Sequence, residues 1–178
     1  ITLENILAHA EGQVFIFQPP DKLDTTFAKV LERFAARAPG NVYVAASYAY
    51  HGRNRERIAR LADFCARQGV PIVATNDVLY HTPERRPLQD VLTCIRTHCT
   101  IEQAGYRLEA NAERHLKSPD EMARLFKGFE PALHRTVEIA ERCNFSLDEL
   151  SYEYPDEPVP VGKTPQEHLH DLTWKGAQ

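Results

Sequence analysis

The chain has 178 residues and a formal net charge of −4, with 43% hydrophobic and 26% charged residues. This composition suits one globular domain, alone or with an extension, and excludes an overall basic excess of the kind that often marks a DNA-binding face. No apolar run approaches the length of a membrane span, and four cysteines without C-x-x-C spacing fit a reducing cytoplasm.

The first half of the chain alternates between apolar runs and helical patterns. A short helix is predicted at residues 2–9, with Thr2 as its N-cap. Three apolar runs then predict strands: residues 13–17, 42–46 and 71–75. The first run is nearly continuous, which is typical of a strand covered on both faces. The segments between them have apolar residues at helical spacing: residues 22–37 and 53–68. This βαβαβ order predicts a parallel α/β sheet with right-handed crossovers, open or closed as a barrel.

Beyond Pro83 the alternation ends and helical patterns predominate. We predict helices at residues 88–97, from Ser118, from Pro131 and from Thr164. Capping boxes are expected at Ser118–Glu121 and Thr164–Glu167. Residues 152–162 are rich in proline and acidic side chains, which is typical of a linker. The predicted parts are residues 1–82, 83–150 and 151–178, and because three strands form only part of such a sheet we expect an excerpt from a longer protein.

A candidate site lies where the third strand ends, at Thr75-Asn76-Asp77, with His81 shortly after. The carboxyl ends of parallel strands share one rim, so Asp77, His81 and His51 are expected on or near it. Such ligands could bind Zn²⁺ or Mn²⁺ for phosphoester hydrolysis. The alternative is that Asn76 and Asp77 only form a turn, and that His81 caps the next helix or is solvated.

Other chemical signals are weaker. The chain contains no Gly-rich phosphate loop, no Gly-x-Ser-x-Gly and no His-Glu-x-x-His. Cys94, His98 and Cys99 are neighbours, but a zinc site would need a tighter set of ligands. Two groups of basic residues could touch phosphate but are expected mainly as solvated surface: Arg85, Arg86 and Arg96, and Arg107, Arg114, His115 and Lys117.

Five runs carry a family resemblance: residues 73–81, 84–96, 107–119, 145–150 and 152–155. They resemble bacterial C-family DNA polymerases related to the DNA polymerase III α subunit, and in particular the error-prone, damage-inducible branch. The resemblance implies that residues 1–82 are the C-terminal half of a polymerase and histidinol phosphatase (PHP) domain, a distorted (β/α)₇ barrel. Residues from 83 onward would be the mainly helical segment that leads toward the palm.

The resemblance also implies a function for the whole protein, which would be an error-prone translesion DNA polymerase in DNA replication and damage-induced mutagenesis. Its palm, with Mg²⁺, and its contacts with DNA primer-template and dNTPs would lie outside this chain. Other components of the translesion machinery are expected as partners, the location is expected to be cytoplasmic, and no membrane is implied.

In metal-binding members of this family the strand ends Asn-Asp-Val-His, and the Asp and His bind metal. Asp77 matches, but Leu79 stands in the histidine's place and has no lone pair to donate. A second family ligand, a cysteine, aligns with Pro20. The resemblance therefore implies a degenerate metal site with Asp77 as a remnant, in a non-catalytic scaffold. The alternatives are a PHP domain that retains Zn²⁺- or Mn²⁺-dependent phosphoesterase or 3′–5′ exonuclease activity, and a pure interaction module.

Overall fold

The structure is a computed structural model that describes residues 2–151 and 158–177, and it divides into two compact units at the boundary between Cys143 and Asn144. The first unit is built on a parallel sheet of three strands in the order β1-β2-β3. These strands are β1 (Phe15–Phe17), β2 (Val42–Ser47) and β3 (Ile72–Thr75). The helices between and before them are α1 (Leu3–Ala8), α2 (Thr25–Arg37) and α3 (Asn54–Arg67). The predicted βαβαβ order and parallel pairing are confirmed.

The core lies between the sheet and the helices that cover it. Phe34 of α2 is buried and packs edge-to-face on Phe15 and Phe17 of β1, with ring centroids 4.9 and 4.8 Å apart. These aromatic contacts connect the helix to the strand that precedes it, as expected for rings of this geometry. Residues 42–46 form a strand as predicted, and every residue from Val42 to Ala46 is buried, so β2 is covered on both faces.

The prediction that β1 is covered on both faces was wrong for Ile16, whose exposed fraction is 47%. Phe15 and Phe17 point inward and Ile16 points outward, because successive side chains of a strand face opposite sides of the sheet. The apolar run at residues 13–17 is too short to distinguish these two arrangements. The closed (β/α)₇ barrel stays a prediction, since residues 2–151 and 158–177 contain a sheet of three strands.

The rest of the first unit is helical, as predicted. A 3₁₀ turn (Pro83–Arg85) leads into α4 (Arg86–Arg96), α5 (Ile101–Ala104), a second 3₁₀ turn (Gly105–Arg107), α6 (Pro119–Leu125) and α7 (Glu130–Arg142). Helix α7 lies against β3, where Nη1 of Arg135 donates to the carbonyl oxygen of Ile72 at 2.9 Å. Helix α4 carries the predicted apolar stripe, and all four of its members are exposed: Leu88, Val91, Leu92 and Ile95.

The predicted capping box at Ser118 forms only in part. The Ser118 hydroxyl accepts from the backbone N–H of Glu121 at 3.2 Å, which is half of the box. The Glu121 carboxylate instead accepts from Arg124, at 2.7 and 2.8 Å. A charged donor one turn away competes successfully with the backbone amide, because charge-assisted hydrogen bonds are the stronger kind.

The second unit contains a 3₁₀ turn (Leu147–Glu149) and helix α8 (Pro165–Gly176). The predicted capping box at Thr164 and Glu167 is confirmed, with both of its hydrogen bonds present. The predicted linker at residues 152–162 lies partly outside the described residues, and its residues 158–162 contain neither helix nor strand. Among the described residues, no helix has the length and apolar character needed to cross a bilayer.

Candidate functional site

The carboxyl ends of the strands form one side of an open cavity of about 680 Å³. Its lining includes Pro20, His51, Asp77 and Arg114. His51 and Asp77 are therefore brought to the same cavity, as the topology predicted. His81 is not among the lining residues; it is exposed and lies at a second cavity of about 250 Å³, together with Leu79.

Asp77 is held by an arginine. Nη2 of Arg114 donates to Oδ2 of Asp77 at 2.6 Å, and Nε of Arg114 donates to the backbone carbonyl of Asp77 at 2.8 Å. Nη1 of Arg114 donates to Oε1 of Glu109 at 2.5 Å, and the other Asp77 carboxylate oxygen accepts from Gln18 at 3.4 Å. Both oxygens of the Asp77 carboxylate are thus engaged by protein donors.

This arrangement exists because residues 109–117 run alongside the loop that follows β3. The backbone N–H of Leu79 donates to the Arg114 carbonyl at 2.8 Å, and the N–H of Leu116 donates to the Tyr80 carbonyl at 3.3 Å. The Asn76 side chain donates to the carbonyls of Glu113 and His115. These bonds fix the path of the loop, in which Asp77 has a left-handed backbone with φ of 44°, a conformation that aspartate tolerates better than most residues.

The expectation that the second basic group is mainly solvated surface was wrong for Arg114 and Lys117. Arg114 contacts Asp77 and Glu109, as described above. The Lys117 side chain is only 2% exposed and forms an ion pair with Glu113 at 2.9 Å. The pattern of basic residues alone did not reveal that these two side chains have carboxylate partners. The acidic Glu109 and Glu113, which lie between the basic residues in the sequence, were a signal that could have shown it.

Arg86 also has protein partners rather than a free guanidinium. Its Nη2 donates to the carbonyl oxygen of Glu109 at 2.6 Å, and its Nε lies 3.5 Å from the Asp90 carboxylate. Glu109 therefore connects two arginines, since its carbonyl accepts from Arg86 and its carboxylate from Arg114. Arg85 and Arg96 are exposed, which agrees with the expected solvated face.

The residues at Asp77 do not fit a divalent cation. Throughout residues 2–151 and 158–177, no group of three or more His, Cys, Asp or Glu side chains lies close enough together to hold a metal ion. A cation bound to the Asp77 carboxylate would also lie beside the Arg114 guanidinium and would be repelled by it. Leu79 offers no ligand atom, and His81 lies at the other cavity.

Comparison with known proteins gives a consistent result over nearly the whole chain. No family model matches it. A Caulobacter vibrioides protein named error-prone DNA polymerase is 56% identical over 177 residues, which are 99% of this chain and 16% of that protein. Proteins of the same name from Bradyrhizobium diazoefficiens and Brucella abortus are 51% and 52% identical, over 99% and 93% of this chain and 15% of each protein.

The chain spans 15–16% of the length of these curated relatives. Identity at this level over an aligned length of 165 residues or more indicates common descent and a shared fold for the aligned part. The resemblance to error-prone DNA polymerases is therefore confirmed, and this chain is homologous to one segment of those proteins.

Proposed function

We propose that this chain is a segment of an error-prone DNA-directed DNA polymerase that acts in translesion synthesis and damage-induced mutagenesis. The name that its relatives share, and their identity of 51–56% over 93–99% of the chain, support this proposal. The polymerase would bind primer-template DNA and dNTPs, with Mg²⁺ at the palm, through parts outside these 178 residues. Its surroundings would be cytoplasmic, and its partners would include other components of the translesion machinery.

Within that polymerase, the proposed role of this segment is a non-catalytic scaffold: part of a PHP barrel and the helical lead toward the palm. The observation that carries this proposal is the pairing of Asp77 with Arg114 at 2.6 Å. A metal ion in this place could polarise a phosphate and activate water. The Arg114 guanidinium balances the negative charge of the Asp77 carboxylate. It carries only N–H donors, so unlike a metal ion it cannot coordinate a water molecule and activate it. Asp77 then anchors residues 109–117 and takes no part in the hydrolysis of a substrate.

Two assays on the full-length polymerase test this role. We expect the polymerase to extend a primer with dNTPs and Mg²⁺. We expect it not to digest a mismatched 3′ primer end in the presence of Zn²⁺ or Mn²⁺. The isolated 178-residue chain should incorporate no nucleotide. A 3′–5′ exonuclease activity that Asp77→Ala abolishes would contradict the scaffold role and favour a PHP hydrolase. The exposed Asp63, which lines the same cavity, provides the matched control variant Asp63→Ala.

A further inference from the structure

Helix α4 ends in a Schellman motif whose two contacting positions are both cysteines. His98 has a left-handed backbone, with φ of 51°, and its N–H donates to the Ile95 carbonyl at 3.3 Å. The N–H of Cys99 donates to the Cys94 carbonyl at 3.1 Å. These are the two hydrogen bonds that define the motif, and the side chains at its two outer positions commonly touch. In this chain those side chains are the thiols of Cys94 and Cys99.

The geometry of the cap brings the two cysteines together. The thiols of Cys94 and Cys99 are neighbours, and each of them shifts the pKa of the other. Their backbones are joined by a direct hydrogen bond, so their Cα atoms can be no more than about 7 Å apart, close to the range that a disulfide spans. Both cysteines are free thiols in the structure.

The two thiols differ in exposure and in acidity. Cys99 is partly exposed, whereas Cys94 is buried. The Thr97 hydroxyl, 3.2 Å from the Cys99 sulfur, and the Arg107 guanidinium lower the pKa of the Cys99 thiol. Burial, together with the neighbouring Cys99, raises the pKa of the Cys94 thiol. The thiolate is therefore favoured on the sulfur that solvent can reach, which is the arrangement typical of oxidisable cysteines.

We propose that Cys94 and Cys99 form a redox-sensitive dithiol that hydrogen peroxide converts to a disulfide. The Cys99 thiolate attacks a peroxide oxygen, the O–O bond breaks, and the hydroxide that leaves takes a proton to become water. The Cys94 sulfur then attacks the Cys99 sulfenic acid, an S–S bond forms, and the S–O bond breaks with loss of a second water. Two thiols are oxidised by two electrons, and one peroxide is reduced to two waters.

The other two cysteines provide internal controls. Cys143 is exposed, so it tests whether accessibility alone leads to oxidation. Cys65 is buried in α3, and burial raises the pKa of its thiol to about 11. We expect Cys65 to resist peroxide in the folded protein, and Cys143 to react more slowly than Cys99.

The sequence makes the disulfide easy to detect in the full-length polymerase. Trypsin cleaves after Arg85, Arg96 and Arg107, but not after Arg86, because Pro87 follows. Cys94 and Cys99 therefore lie in adjacent tryptic peptides, residues 86–96 and 97–107. After hydrogen peroxide treatment, blocking of free thiols and non-reducing digestion, mass spectrometry should find these two peptides linked, and dithiothreitol should separate them.

Variants separate the two steps. Cys94→Ser should leave a sulfenic acid on Cys99 that dimedone traps, and Cys99→Ser should remove both the link and the trapped product. Arg107→Gln should slow linking at pH 7. Because the folded cap favours the Cys99 thiolate, linking in the native protein should be at least about threefold faster than in guanidinium chloride. Peptides that stay unlinked while Cys143 is oxidised, or equal rates in native and unfolded protein, would overturn the proposal.

Discussion

Replacing Arg114 by alanine should loosen the loop that follows β3. Arg114 donates to the carboxylates of Asp77 and Glu109 and to the Asp77 carbonyl. Its side chain is 20% exposed, and those of Asp77 and Glu109 are 41% and 31% exposed, so solvent screens the ion pairs in part. Hydrogen bonds to charged groups contribute about 1.5–3 kcal/mol and exposed ion pairs about 0–1 kcal/mol, so after discounting for screening we expect a loss of about 2 kcal/mol.

Hydrogen–deuterium exchange of the full-length protein measures this loss locally. The reporter amides are Leu79 and Leu116, whose N–H groups donate to the Arg114 and Tyr80 carbonyls and are not themselves changed by the substitution. A loss of about 2 kcal/mol corresponds to about 30-fold faster exchange of these amides. Arg114→Lys keeps the charge but not the forked geometry, so it should give an intermediate result.

The matched control is the ion pair between Arg33 and Glu4, which is 2.7 Å long with side chains 46% and 72% exposed. Arg33→Ala should cost less than about 0.5 kcal/mol, because exposed pairs are screened by water. If Arg114→Ala leaves the exchange of Leu79 and Leu116 unchanged, or alters it no more than Arg33→Ala does, the anchoring role assigned to Arg114 is wrong.

Two further predictions concern pH. Burial raises the pKa of Cys65 from 9.0 to about 11, so the folded state keeps this thiol neutral while the unfolded state loses its proton. The free energy of unfolding should therefore fall as pH rises above 9.0. In urea denaturation followed by circular dichroism, Cys65→Ala should show a smaller fall. The N–H and hydroxyl of Thr164 lower the pKa of Glu167, so its contribution to α8 is complete above the ordinary value of 4.5 and is lost as pH falls through the lowered native pKa. The protection factors of the α8 amides should therefore fall at acidic pH, and they should fall less in Glu167→Gln than in the native sequence. An equal loss of protection in the two proteins would contradict this assignment.

Much of the fold could be predicted because its signals are local. Apolar residues at helical spacing predicted α2 and α3, and the apolar run from Val42 to Ala46 predicted the strand β2. The capping box at Thr164 was predicted from four consecutive residues. The incomplete capping box at Ser118 could not be predicted from the sequence, because Arg124 competes for the Glu121 carboxylate.

The candidate site was predicted only in part. The strand order brought Asp77 and His51 to one rim, since the ends of parallel strands meet there. The partner of Asp77 was missed because Arg114 lies 37 residues away in an irregular stretch, and no periodic pattern predicts a contact over such a separation. The apolar stripe on α4 illustrates the same limit, because spacing predicts an amphipathic helix without indicating what its face contacts.

Elemental analysis of the full-length polymerase distinguishes an Asp77 that anchors a scaffold from an Asp77 that binds a metal. The protein would be treated with chelator, incubated with Zn²⁺ or Mn²⁺, and desalted before measurement. We expect the native protein, Asp77→Ala and the Asp63→Ala control to retain the same amount of metal. If the native protein and Asp63→Ala retain about one metal ion per chain and Asp77→Ala loses it, Asp77 is a metal ligand and the scaffold role is wrong.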